Sequence, residues 1–147
     1  MMARDNRKGP RQKLVPQTGK NPRSEPEKQG SDSQKIRWKF SVIDREGPWG
    51  FGRITEGEFW GILLPKLRDY EKLTWAEIYK HPHNHPIPKD SIVSAARTRL
   101  QEINQDDTDN LVSLSTSGLP RLWGIRANDE FRVLWWDPQH QIYPTSR

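Results

Sequence analysis

Cysteine is absent from the 147 residues, which excludes disulfides, thiolate metal sites and thiol nucleophiles. A chain without cysteine fits a reducing compartment. No apolar run approaches the ~20 residues that a membrane span requires. The N-terminus MMARDNRKGPRQKL is charged from its start and lacks the apolar core of a secretory signal. Together these absences lead us to expect a soluble, cytoplasmic protein with no membrane partner. Apolar residues are also scarce in the first 34 positions. Leu14 and Val15 are the only large aliphatics there apart from the methionines, and no aromatic occurs. Such a segment cannot bury enough surface to offset its ordering entropy. Residues 1–34 are therefore expected to form a disordered basic tail. They hold eight Lys/Arg against four Asp/Glu, a balance of +4, which leaves residues 35–147 at +1.

All seven tryptophans lie beyond that tail, and a single α+β domain is expected over residues 35–147. IRWKFSVID alternates apolar Trp38, Phe40 and Val42 with polar neighbours, the pattern of a half-buried strand. REGPWGFGR reads as a loop. In TEGEFWGILLPKLRDYEKL, Thr55 and Glu58 form a capping-box pattern, and Phe59, Leu63, Leu67 and Tyr70 share a helical face. Pro65 should kink or divide that helix. Thr74 and Glu77 repeat the capping signature ahead of a short second helix. HPHNHPIPK, with three prolines in nine residues, reads as a break. KDSIVSAARTRLQEI is a helix with Ile92, Ala96, Leu100 and Ile103 on its buried side. LVSLST, RLWGIR and FRVLWW then read as strands, with SGLP and ANDE as turns and QIYP as a short closing strand. The order predicts an α+β fold, an antiparallel sheet of about four strands with helices packed on one face.

RLWGIRANDEFRVLWW, taken with this element order, resembles the RelE/ParE-like toxins of toxin–antitoxin modules. Ile125-Arg126, the turn Ala127–Glu130 and Phe131 to Trp135 carry the residue-level likeness, and the element order extends it over residues 37–143. The chain also looks like a group of short bacterial proteins with HPI in mid-chain and W-x-D-P-x-H-x-x-Y-P near the end. Here those are His85-Pro86-Ile87 and Trp136 to Pro144, and they imply no activity. The first resemblance implies an mRNA endonuclease that uses positioned basic residues and a C-terminal His or Tyr, with an antitoxin protein and RNA or the ribosome as partners. Carried over by position, it makes Arg126, Arg132, His140 and Tyr143 the catalytic set.

The residue chemistry is compatible with that assignment. Cleavage of RNA by side chains alone needs a base for the 2′-hydroxyl, an acid for the leaving oxygen and cations for the phosphorane. His140 is the natural acid or base, because imidazole titrates near neutral pH. Arg126 and Arg132 can hold a phosphate with paired donors. Strict alternation puts Phe131, Val133 and Trp135 on a core face and Arg132, Leu134 and Trp136 on a more open one. Trp136 and Arg121 are the expected RNA-binding residues, with Trp136 stacking a base. A second reading makes the fold a non-catalytic protein- or nucleic-acid-binding module presenting Trp49, Phe51 and Trp136. His81, His83 and His85 have an i, i+2 spacing that suits Zn²⁺, but no cysteine or acid accompanies them. They are read as a structural loop, and no metal or cofactor is expected.

Overall fold

A computed structural model describes residues 31–144. Most of the expected tail, residues 1–30, lies outside them. Its end, residues 31–34, is tied to the domain. Ala76 N–H donates to the Asp32 carbonyl at 2.9 Å and Trp75 N–H to the Gln34 carbonyl at 3.0 Å.

The elements are β1 (Arg37–Lys39), a first helix α1 in three contiguous segments (Glu56–Glu58, Phe59–Leu63 and Leu64–Tyr70), α2 (Trp75–Tyr79), β2 (His85–Pro88), α3 (Ser94–Glu102), β3 (Asn110–Ser115), β4 (Arg121–Ala127) and β5 (Glu130–Asp137). Five strands form one sheet in the order β1-β5-β4-β3-β2. The expected sheet of about four antiparallel strands needs correction, since β1 pairs parallel with β5 and makes the sheet mixed. The helices do not keep to one face either. α1 and α2 contribute Leu63, Tyr70, Trp75 and Ile78 to a core on one side. α3 contributes Ala96 and Leu100 to a second core on the other. A sheet covered on both faces has no polar side to show, so its central strands read as nearly continuous apolar runs. Among the described residues no helix is long and apolar enough to cross a membrane.

Local chemistry explains these elements. Both capping boxes form: Thr55 and Glu58 exchange bonds at 3.0 Å, and Thr74 and Glu77 do the same at 2.9 and 3.1 Å. Pro65 does not break α1. The turn before it widens to π geometry, with Leu64 N–H reaching back five residues to the Phe59 carbonyl. A proline clashes with the carbonyl four residues earlier and has no N–H, and a wider turn relieves both problems. HPHNHPIPK, expected as a break, contains edge strand β2. Its pairing sets His85 opposite Ser113 and Ile87 opposite Leu111. Pro86 and Pro88 alternate with them, so their missing N–H groups fall on the solvent side of the edge, where a strand tolerates proline. The expected first strand is regular only over Arg37–Lys39. Beyond it the chain still follows β5, with Asp44 N–H on the Leu134 carbonyl at 3.0 Å and Trp136 N–H on the Trp49 carbonyl at 2.9 Å. No strand forms in QIYP.

The alternation expected along β5 fails at one residue. Trp123 pairs with Trp135 and Gly124 with Val133, so Leu134 is an extra, bulged residue. Past it the faces exchange. Phe131, Val133 and Trp136 enter the first core, while Leu134 and Trp135 enter the second. A Cβ at Gly124 would collide with the Arg132 carbonyl and the Phe131 ring beside this bulge. Trp136, expected on the open face, is 2% exposed. Trp49, expected at the surface, is also buried. The exposed aromatics are instead Phe40 at 52% and Trp60 at 64%.

Candidate functional site

The β4–β5 hairpin has two chemically different ends. Near its turn, Arg126 lies opposite Phe131 and Ala127 opposite Glu130. Arg126 is fully engaged there. It donates to the Asn128 carbonyl at 2.7 Å, to Ser31 Oγ at 2.8 Å and to the Asp32 carboxylate at 2.7 Å. Its guanidinium also sits 4.2 Å from the centre of the Trp75 ring. Arg132 is more open and reaches Glu130 at 3.4 Å. The expected catalytic arginines are thus held at the turn by carboxylates, and Arg126 clamps residues 31–32.

His140 lies at the opposite end. Six residues separate Phe131 from Asp137 along β5, about 20 Å of strand, and His140 follows that end. The expected set of Arg126, Arg132 and His140 therefore does not assemble. Tyr143 packs against the second core, a structural position. Trp136 is sealed in the first core and cannot stack a base, because both faces of the sheet are covered.

The structure does place two of the expected residues at one end of the sheet, Arg121 on β4 and His140 in the turn that follows Asp137. Arg121 is the register partner of Asp137. Asp137 is fully buried, and its carboxylate accepts the Gln141 and Ile142 N–H groups at 2.8 and 2.9 Å. These bonds fold DPQHQI into a tight turn of the kind Asp favours. Ile142 is buried, and its carbonyl accepts Val93 N–H at 2.9 Å, which fixes the turn's far side to the start of α3. His140 caps this turn with φ of 57°, in the left-handed region. Its Nδ1 is buried with no hydrogen-bond partner.

Burial pushes the Asp137 carboxyl above its ordinary range, and the two backbone N–H groups and the nearby His140 partly oppose this. Arg121 is 9% exposed. Its Nη1 donates to the carbonyls of Gly118, Leu119 and Pro120 at 2.6, 3.0 and 3.0 Å. Among the described residues its Nε and Nη2 have no partner. Burial lowers its pKa, with Asp137 and Tyr70 pulling the other way. A guanidinium with donors to spare can bond an oxyanion.

Sequence reasoning missed the residues that complete this end. Ser115 is the register partner of Arg121 on β3. Asn84, buried, accepts Ser115 N–H at 2.7 Å and donates to Tyr70 Oη and the Ile78 carbonyl, both at 3.0 Å. Tyr70 in turn donates to the Ser115 carbonyl at 2.7 Å. The asparagine inside HPHNHP was the available signal, since a polar residue flanked by prolines and histidines needs partners if it is buried. Among the described residues no group of three or more His, Asp or Glu side chains is arranged to hold a metal ion.

Compared with protein-family models, curated proteins and solved structures, the chain gives no match in any of the three.

Proposed function

We propose that the protein is a RelE-like toxin that cleaves RNA, working at the sheet end where Arg121, Asp137 and His140 meet and not at the hairpin turn. The observation that supports this reading most is His140 itself. A non-glycine residue in the left-handed region with a buried, unpaired ring nitrogen is a costly arrangement, and such strain concentrates at functional sites. In this reading His140 Nε2 takes the proton of a 2′-hydroxyl. The 2′-oxygen then bonds to phosphorus, the bond from phosphorus to the 5′-oxygen breaks, and that oxygen leaves with a proton taken from water. The products are a 2′,3′-cyclic phosphate and a 5′-hydroxyl. The free donors of Arg121 meet the oxygens that gain charge in the transition state. Asp137 holds the turn that aims the imidazole. A cytoplasmic location, where mRNA is found, goes with this reading.

The test is end-labelled RNA incubated with the purified chain, together with growth of cells expressing it. Cyclic-phosphate fragments and growth arrest are expected. His140→Gln should keep the fold and lower cleavage by ~10²–10⁴-fold, as for loss of a general acid or base. Full activity in that variant would remove His140 from its role.

One feature favours a second reading, a protein-binding module. An open apolar cavity of about 320 Å³ lies between α1 and the sheet, lined by Phe40, Ile43, Phe51, Phe59, Leu64 and neighbouring aliphatics. Exposed apolar surface of this kind marks interaction sites. Under the toxin reading, an antitoxin would be the protein to cover it.

A further inference from the structure

We infer that the 81–85 loop completes an anion site at this end of the sheet, in which a phosphate group is held between Arg121, Lys66 and the Nε2 of His81. The inference rests on the reading above for Arg121 and extends it to residues on two other elements.

The loop is built to present His81. Asn84 pins it from beneath, bonding at once to Ser115 of β3, to Tyr70 of α1 and to the Ile78 carbonyl. At the surface the His83 N–H donates to His81 Nδ1 at 3.1 Å, and the two rings lie 5.6 Å apart. With Nδ1 occupied as an acceptor, neutral His81 carries its proton on Nε2, which makes no bond in the protein. Lys66 arrives from α1 over the same place. Its Nζ is 5.7 Å from the centre of the Tyr70 ring, whose hydroxyl belongs to the Asn84 network. The Ser115–Arg121 pairing brings Arg121 alongside from β4.

The charges that reach His81 have one sign. After burial, the groups that hold its pKa down are His83, Lys66 and Arg121, and no carboxylate is among them. Asp137, the acid nearest Arg121, is buried and spends both oxygens on backbone N–H groups. A cluster of mutually repelling cations with spare donors gains most from an oxyanion that meets all of them.

The experiment uses the whole chain and inorganic phosphate, with histidine imidazole resonances followed by NMR at constant ionic strength. Phosphate should move the His81 signals saturably and raise the His81 titration midpoint by about one pH unit, because the anion offsets the repulsion. His85, exposed on the edge strand, serves as the internal control and should not move. Lys66→Ala, a change favourable to a helix, should weaken phosphate binding about tenfold, the loss of one charge-assisted contact. Equal, unsaturated drift of His81 and His85, or unchanged affinity in Lys66→Ala, would overturn the inference. Phosphate binding at His81 without RNA cleavage would sink the cleavage reading and leave this site standing. Cleavage that depends on His140 while phosphate leaves His81 unmoved would sink this site alone.

Discussion

If His140 is kept for chemistry, the fold should tolerate its loss, and replacement by glycine should be kinder than replacement by alanine. The left-handed region costs a residue with a Cβ about 1–2 kcal/mol, and histidine, one of the types enriched there, sits towards the lower end. His140→Gly removes that strain and the buried unpaired Nδ1, a group that costs about 1–3 kcal/mol where it cannot be satisfied. Against this stand glycine's extra unfolded-state entropy, about 0.5–1 kcal/mol, and the lost burial of a half-exposed ring, about 1 kcal/mol. The sum runs from cancellation to a gain of about 2 kcal/mol, so His140→Gly should be at least as stable as the parent. His140→Ala loses the same ring but keeps the strain, and should be less stable than His140→Gly by about 0.5–1 kcal/mol. Urea unfolding followed by tryptophan fluorescence measures all three chains, and the RNA assay should find both variants inactive. If alanine proves the better tolerated, the backbone at 140 is not strained. A loss above about 2 kcal/mol in His140→Gly would show that the ring packs the fold and would refute the argument.

Further outcomes concern Asp44 and strand β5. The buried Asp44 carboxylate accepts two bonds from Arg99, one from Trp135 Nε1 and two from the Glu46 and Gly47 N–H groups, at 2.8 to 3.2 Å. Asp44→Ala should therefore cost about 3–5 kcal/mol in urea unfolding, the usual cost of breaking a buried pair. Arg99 holds the Asp44 carboxyl well below the carboxylate range. Its stabilisation is thus present above the unfolded value near 4 and lost as pH falls further, so Asp44→Asn should show a shallower decline below about pH 4. Phe131→Ala should cost about 3–5 kcal/mol, because Phe131 is fully buried between Trp38 and Trp75. Arg132→Ala, on a partly exposed side chain with one long contact to Glu130, should cost less than about 1 kcal/mol. Equal losses for the two would contradict the placement of β5.

Features set by neighbours in sequence were readable from it. Both capping boxes, the β4–β5 turn, the buried Ala96 and Leu100 of α3 (which starts only at Ser94, with Ile92 and Ile103 outside it) and the strands β3 to β5 follow from residues within one or two turns of each other. Features that depend on partners elsewhere were not. β2 was hidden because prolines usually argue against a strand, and only an edge pairing with β3 shows that their positions are harmless. The unbroken apolar runs VLWW and LWGI did carry a signal of burial on both faces, which strict alternation overrode. The bulge at Leu134 shifts the pattern by one residue, and that shift decided which of the two cores Trp136 entered. At the site, His140 and Arg121 could be singled out individually. Their meeting depends on the register that sets Arg121 against Asp137, which no spacing in the sequence reveals.

The same register explains why an anion should choose one end of the sheet. At the hairpin turn each arginine already has a carboxylate: Arg37 meets Asp129 and Glu130, Arg126 meets Asp32, and Arg132 meets Glu130, at 2.7 to 3.4 Å. A phosphate arriving there must displace an internal partner and leave that carboxylate facing it. At the other end the register partner of Arg121, Asp137, commits its carboxylate oxygens to the backbone. Binding there needs no exchange of partners and removes repulsion among the cations. At the hairpin turn it is Arg126, with its bonds to Ser31 and Asp32, that ties the fold together, and under the proposed reading the cations at the far end are the ones left for a ligand.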